Sequence, residues 1–183
     1  MPRIIGIAGS LRRDSYNASL LRAAAELAPR ETRVEIGSIR GIPLYDGDLE
    51  REHGIPEPVR KLKDEIEAAD GLLLVTPEYN NSIPGVFKNV LDWLTRPPKD
   101  IPRVFGNKAV AIMGATPGGG GTRMAQLAWL PILRTLGTRA WFGQQLYVPQ
   151  AGHVFDDEGE LIDGGIRERL RAFMEGFSTF AVS

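Results

Sequence analysis

Nine residues, "GSLRRDSYN" at positions 9–17, gather Ser10, Arg12, Ser15 and Asn17 between an apolar run and the start of a helical pattern. Hydroxyl and amide donors, the free N–H groups of a helix start and the positive end of its dipole suit an anion. Arg12 adds a planar cation matched to phosphate oxygens. The spacing is neither the Walker GxxxxGK(S/T) nor the dinucleotide GxGxxG. The competing reading of the same residues is a serine helix cap beside two solvated arginines.

Two further stretches share this character. "TPEYNNSIPG" (76–85) is stiffened by Pro77 and Pro84 and crowds Glu78, Tyr79, Asn80 and Asn81 at its tip. Such a loop presents backbone donors and acceptors edge-on to a flat heterocycle, with Tyr79 to cover an apolar face; its plainer reading is a turn rich in turn formers. "GATPGGGGTR" (114–123) has four consecutive glycines, which either let the backbone approach a ligand closely or simply add flexibility. Amides from such a run, if turned inward, stabilise negative charge.

The elements around these loops alternate. Residues 3–8, 32–39, 71–76, 108–115 and 140–148 read as strands, with "GLLLVT" (71–76) the most apolar. Helical spacing marks 15–28, 57–69 and 121–136, the last carrying a kinking Pro131. Ile83, Val86, Phe87, Val90, Leu91 and Leu94 form another stripe, opened by Pro84, and Ile166, Leu170, Phe173 and Phe177 a final one. Five strands alternating with five helices predict an α/β fold: a three-layer sandwich whose parallel sheet runs in the flavodoxin-like order 2-1-3-4-5, with helices on both faces. No repeat or composition shift divides the chain, so residues 1–183 read as a single domain. In that order strands one, three and four are neighbours. The three polar loops then converge where strand order reverses, the place where open α/β sheets bind ligands.

Composition narrows the chemistry. The chain has 183 residues, 43% hydrophobic, a net charge of −1 and no cysteine. That excludes thiol catalysis and disulfides, and it argues against nucleic-acid partners, which call for a basic surface. No apolar stretch reaches membrane-spanning length and the N-terminal run breaks into arginines, so a cytoplasmic protein is expected. His53 and His153, the two histidines, have no ligand spacing, so no metal is expected. Without a G-x-S-x-G elbow, Ser10 is a poor hydrolase nucleophile.

Taken together, "GSLRRDSYN", "TPEYNNSIPGVFKNVLDW" and the glycine loop resemble the NADPH-dependent FMN reductases, a flavodoxin-like family that includes chromate and quinone reductases. "IPLYDGDLE" (42–50) and "FDDEGELID" (155–163) also look like segments of that family. The resemblance implies that Ser10, Arg12, Ser15, Tyr16 and Asn17 surround the phosphate and ribityl chain of FMN. It implies that Pro77, Glu78, Tyr79 and Asn80 line the flavin ring, with Thr116 and Gly118 on its pyrimidine side. "ATPGGGG" departs from the family pattern, which commonly has serine near position 116 and fewer glycines. The implied activity is hydride transfer from NADPH or NADH through bound flavin to a quinone, free flavin, azo or chromate-type acceptor, with no catalytic side chain because the flavin carries the chemistry. Homodimers or homotetramers are implied as well, and Trp129 suits either an interface or a core. The rival reading is a flavodoxin-like electron carrier or flavin-binding module without turnover; carriers tend to be strongly acidic, and this chain is nearly neutral.

Overall fold

Apolar runs become strands where helices cover both of their faces, and the computed structural model, which describes all 183 residues, follows that rule. Its strands are β1 (Arg3–Ala8), β2 (Arg33–Gly37), β3 (Gly71–Val75), β4 (Ala109–Ala115), β5 (Arg139–Ala140) and β6 (Leu146–Val148). Its α-helices are α1 (Tyr16–Leu27), α2 (Gly47–His53), α3 (Glu57–Glu67), α4 (Gly85–Leu94), α5 (Ile101–Phe105), α6 (Arg123–Thr135) and α7 (Gly164–Ala181). The sheet is parallel in the order β2-β1-β3-β4-β5, with β6 also paired to β4.

Side chains one apart on a strand point to opposite faces, and each face has its own core. Ile4, Leu73 and Val75 pack under Leu20 and Leu21 of α1 and Phe173 and Phe177 of α7. Ile5, Ile7, Leu72 and Leu74 pack on the other side with Val59 and Leu62 of α3, Phe87 and Trp93 of α4, and Trp129 of α6. All five β3 residues are buried, as a central strand requires. Trp129 is fully buried and meets Phe87 edge-on, with ring centroids 5.0 Å apart, so it belongs to the core.

Besides α5, a short helix over residues that the sequence reading left unassigned, two details differ from the sequence expectation. The run 140–148 is two short strands, both paired with β4. Trp141 still bonds to the sheet, its N–H donating to Val110 O at 2.8 Å, and turns its ring onto Phe173 and Phe177 of α7, at 4.9 and 5.8 Å between ring centroids; the chain leaves the ladder after it. An edge strand tolerates that break, since it has a ladder on one side only. Second, α2 rises inside a stretch that reads as a loop. It buries no residue; Asp46 caps it by accepting the Asp48 N–H at 2.8 Å, so it leaves no apolar period to detect. The helix expected over 121–136 is there, α6 running through Pro131, which faces solvent.

Candidate functional site

The sheet ladder extends just past the strand tips. Gly9 N–H donates to Val75 O at 2.9 Å, Thr76 N–H to Met113 O at 2.9 Å, and Thr116 N–H to Val148 O at 3.0 Å. Three loops therefore leave one edge of the sheet from adjacent positions: 9–15 after β1, 76–84 after β3 and 116–122 after β4. Arg12 and Tyr79 thus lie on loops that start from hydrogen-bonded neighbours. At Gly9 a side chain would collide with the ring of Phe87, so glycine lets the first loop cross the start of α4.

The first loop is a donor cradle. Ser15 caps α1 by accepting the Ala18 N–H at 3.3 Å, and Ser10 Oγ accepts the Arg12 N–H at 3.3 Å. The amides of Ser15, Tyr16 and Asn17 have no intramolecular acceptor, and no acidic residue sits in the first turn of α1. The Arg12 guanidinium is exposed and makes neither a hydrogen bond nor an ion pair within the chain. Ser15 is a cap, as the plainer reading had it, and the open amides beside it remain available to an anion. Asn17 is buried, with Nδ2 donating to Ala115 O at 2.8 Å and Oδ1 accepting the Ala115 N–H at 2.9 Å. Its amide therefore pins the start of α1 to the end of β4. The Tyr16 ring turns to Phe155, stacked at 6.0 Å with 22° between planes. That stacking gives the segment 155–163 its role: it closes against α1.

The second loop is a tight hairpin. Tyr79 and Ser82 exchange two backbone hydrogen bonds of 3.1 Å, and Asn80 and Asn81 between them have φ of 51° and 59°. Positive φ at both central residues defines a type I′ turn, for which asparagine is among the preferred residues. Pro77 is buried, while the Tyr79 side chain stands partly in solvent. Glu78 reaches across to the start of α6, where its Oε2 accepts the N–H groups of Met124 at 2.8 Å and Ala125 at 3.0 Å. Thr122, at the start of α6, makes no cap bond of its own, so Glu78 supplies the negative charge at that helix N-terminus.

The third loop is held from below. Thr116 O accepts from Ala151 N–H and Gly118 O from Gln150 N–H, both at 3.0 Å. The amides of residues 118–121 have no acceptor within the chain, and a Cβ at Gly118 or Gly119 would meet no heavy atom within 4 Å. Thr122 is fully buried with φ of 67°, an uncommon left-handed conformation for threonine. Gln126 Nε2 secures it, donating to Thr122 Oγ1 and to Leu146 O, each at 3.1 Å.

Sequence reasoning missed Thr122, Gln126 and a strap of residues 40–45. Arg40 donates to Leu11 O at 2.9 Å, while Asn89 and Trp93 of α4 both donate to Pro43 O at 2.8 Å. Asn89 Oδ1 also accepts the Tyr45 N–H at 2.8 Å. Tyr45 rests edge-on against Trp93 and donates to Glu50, whose carboxyl is held below its usual range, first by the hydrogen bond from Arg96. The signal was Asn89 itself, a poor helix former beside a strong apolar stripe.

Comparison with known proteins adds an independent line. The profile of the NADPH-dependent FMN reductase family matches residues 2–153. An NAD(P)H-dependent FMN reductase of Pseudomonas aeruginosa is 39% identical over 169 residues, 92% of this chain and 89% of that protein. A 2-hydroxy-1,4-benzoquinone reductase of a Burkholderia species is 38% identical over 178 residues, 97% of this chain and 95% of that protein. Among solved structures, FerB, a flavoenzyme NAD(P)H:(acceptor) oxidoreductase from Paracoccus denitrificans, superposes with a TM-score of 0.87 at 32% identity, covering 100% of this chain and 98% of its own.

Proposed function

The chain belongs to the NADPH-dependent FMN reductase family, an FMN-dependent oxidoreductase using NAD(P)H, and from that premise we propose that it delivers the electrons to a quinone. The observation that carries the reading is the convergence of three donor-bearing loops on the tips of β1, β3 and β4. The names of several relatives, quinone and benzoquinone reductases, support the quinone class over chromate or azo compounds.

The residues present fit FMN. The open amides of residues 15–17, Ser10 and the unpaired Arg12 form the phosphate seat in this proposal. Tyr16 and Asn17 shape that seat from behind, through Phe155 and Ala115. Pro77, Tyr79 and Asn80 border the flavin ring, while Glu78 acts by fixing the hairpin to α6. Thr116 and Gly118 would hold the pyrimidine side, where the free amides of residues 118–121 would offer donors to negative charge. Held by these residues, FMN would supply the hydride-transfer chemistry between NAD(P)H and the acceptor. The protein contributes position and donors, and no side chain is assigned a proton.

Assembly into dimers or tetramers belongs to the same proposal. Trp129 offers nothing to an interface, but Met124 and Leu127 on the outer face of α6 are both about half exposed. No helix is long and apolar enough to cross a membrane.

The test is anaerobic spectroscopy. Purified protein loaded with FMN should bleach its flavin absorbance on adding NADPH and regain it on adding a quinone. Flavin that binds but stays oxidised with both NADPH and NADH would return the reading to a carrier or binding module. Failure to bind FMN would remove the site itself.

A further inference from the structure

Thr122 departs from an ordinary helix cap in three ways. Such a residue usually has extended backbone and bonds its side-chain oxygen to an N–H of the first turn. Thr122 precedes α6 with φ of 67° and ψ of 24°, makes no cap bond and is fully buried. Left-handed backbone is costly for a β-branched residue. Glycine adopts it freely, and the four residues before Thr122 are all glycine. Glu78 accepts from the first-turn amides instead, so the Thr122 hydroxyl is left for another partner.

That hydroxyl faces the sheet. It lies over β4, where a Cβ at Gly114 would come within 2.3 Å of Thr122 Oγ1 and 2.2 Å of Thr76 O. Gln126, 8% exposed, donates from Nε2 to Thr122 Oγ1 and to Leu146 O of β6, each at 3.1 Å. Both Nε2 hydrogens are used, and one side-chain pair ties the end of the third loop to the sheet. The start of the loop is tied by Ala151 and Gln150, whose N–H groups donate to Thr116 O and Gly118 O. Between the two ties lie the amides of residues 118–121, which have no acceptor within the chain. The glycine run is an arch held at both ends.

We propose that Thr122 and Gln126 are positioning residues: they hold the open amides of residues 118–121 in one orientation toward bound flavin, and so set how much more tightly the site holds reduced than oxidised FMN. This rests on the flavin site described above and adds the device that aims its third loop. Neither side chain touches the flavin in this account. Fixed donors favour the form that carries more negative charge, because they meet it without reorganising.

The test compares FMN affinity in the two redox states. Fluorescence titration gives the dissociation constant of oxidised FMN, and the midpoint potential of the bound flavin gives the ratio of the oxidised and reduced constants. Thr122→Val keeps the branched shape and removes the hydroxyl. It should weaken binding of reduced FMN about tenfold and of oxidised FMN less than about threefold, the loss of one hydrogen bond to a charged group. The midpoint potential should fall accordingly. Thr122→Ser keeps the hydroxyl and should keep the parental ratio. Gln126→Leu should shift the ratio as Thr122→Val does. Thr122→Gly removes strain and anchor together, and should give the same shift even where the valine variant fails to fold. A parental ratio in Thr122→Gly overturns the inference, and so does an equal loss of both redox forms, the mark of a purely structural role. Failure of the unsubstituted protein to bind FMN is a separate result: it refutes the flavin site and this inference with it.

Discussion

Asn17, at the start of α1, and Ala115, the last residue of β4, exchange two hydrogen bonds of 2.8 and 2.9 Å across 98 positions of sequence. Both are buried, so neither main-chain group has water to fall back on. The pair ties the cradle after β1 to the loop after β4, past the intervening β3. Asn17→Ala leaves the N–H and C=O of Ala115 unpaired and should destabilise the protein by about 2–4 kcal/mol. Urea unfolding of the apoprotein measures this, and a midpoint equal to the parent's would refute the staple.

Arg12 predicts the opposite split. Its guanidinium has no partner within the chain, so Arg12→Ala should leave apoprotein unfolding unchanged. FMN affinity should drop by the value of a charge-assisted hydrogen bond, about 1.5–3 kcal/mol, or roughly ten- to a hundredfold. Flavin fluorescence titration reads the change directly. Equal affinity in parent and variant would take Arg12 out of the phosphate seat.

Glu78 is expected to act on stability through α6. Glu78→Ala strips the acceptor from Met124 and Ala125 and should cost about 1 kcal/mol, the usual value of a lost N-terminal cap. Glu78→Gln keeps an oxygen in place and should recover part of that loss. If the two variants unfold alike, the charge at the helix terminus is what counts and the hydrogen bonds are secondary.

Tyr79 should matter for turnover and little for folding. With 47% of its surface exposed, Tyr79→Ala should change the unfolding free energy by no more than about 0.5 kcal/mol. The kcat/KM for quinone should change while FMN binding persists. A variant that fails to fold would make Tyr79 a packing residue.

Acid should weaken the fold through two carboxyls remote from the cradle. Glu50 is held below its usual pKa, mainly by Arg96, and Asp100 by Arg103 first and the buried Lys63 second. Each takes up its proton more readily in the unfolded chain than in the folded one. Their contribution is therefore complete above the ordinary carboxylate range and disappears as pH falls through the folded values. Urea midpoints should hold steady from neutral pH to about 5 and decline below it. Glu50→Gln and Asp100→Asn should each flatten that decline.

Much of the architecture was written locally. Ile4, Ile5, Ile7, Leu72, Leu73 and Leu74 are apolar without a break because both faces of their strands are covered, and such runs announce themselves. The loops at 9–17, 76–85 and 114–123 were also legible, since serine, arginine, proline and glycine at strand ends differ so plainly from the runs they follow. What the sequence determined alone was therefore the order of the main strands and helices, the parallel sheet and the three turns that meet at its edge. Only the tertiary structure decided what individual side chains do there. Asn17 serves Ala115, Glu78 serves the start of α6, and the chain leaves the ladder after Trp141, whose ring packs on α7, splitting one expected strand into two. Periodicity records which face of an element is apolar, a property of neighbours in the chain. A hydrogen bond such as Asn17 to Ala115 depends on where two distant strand ends are brought together, and no local pattern carries that distance.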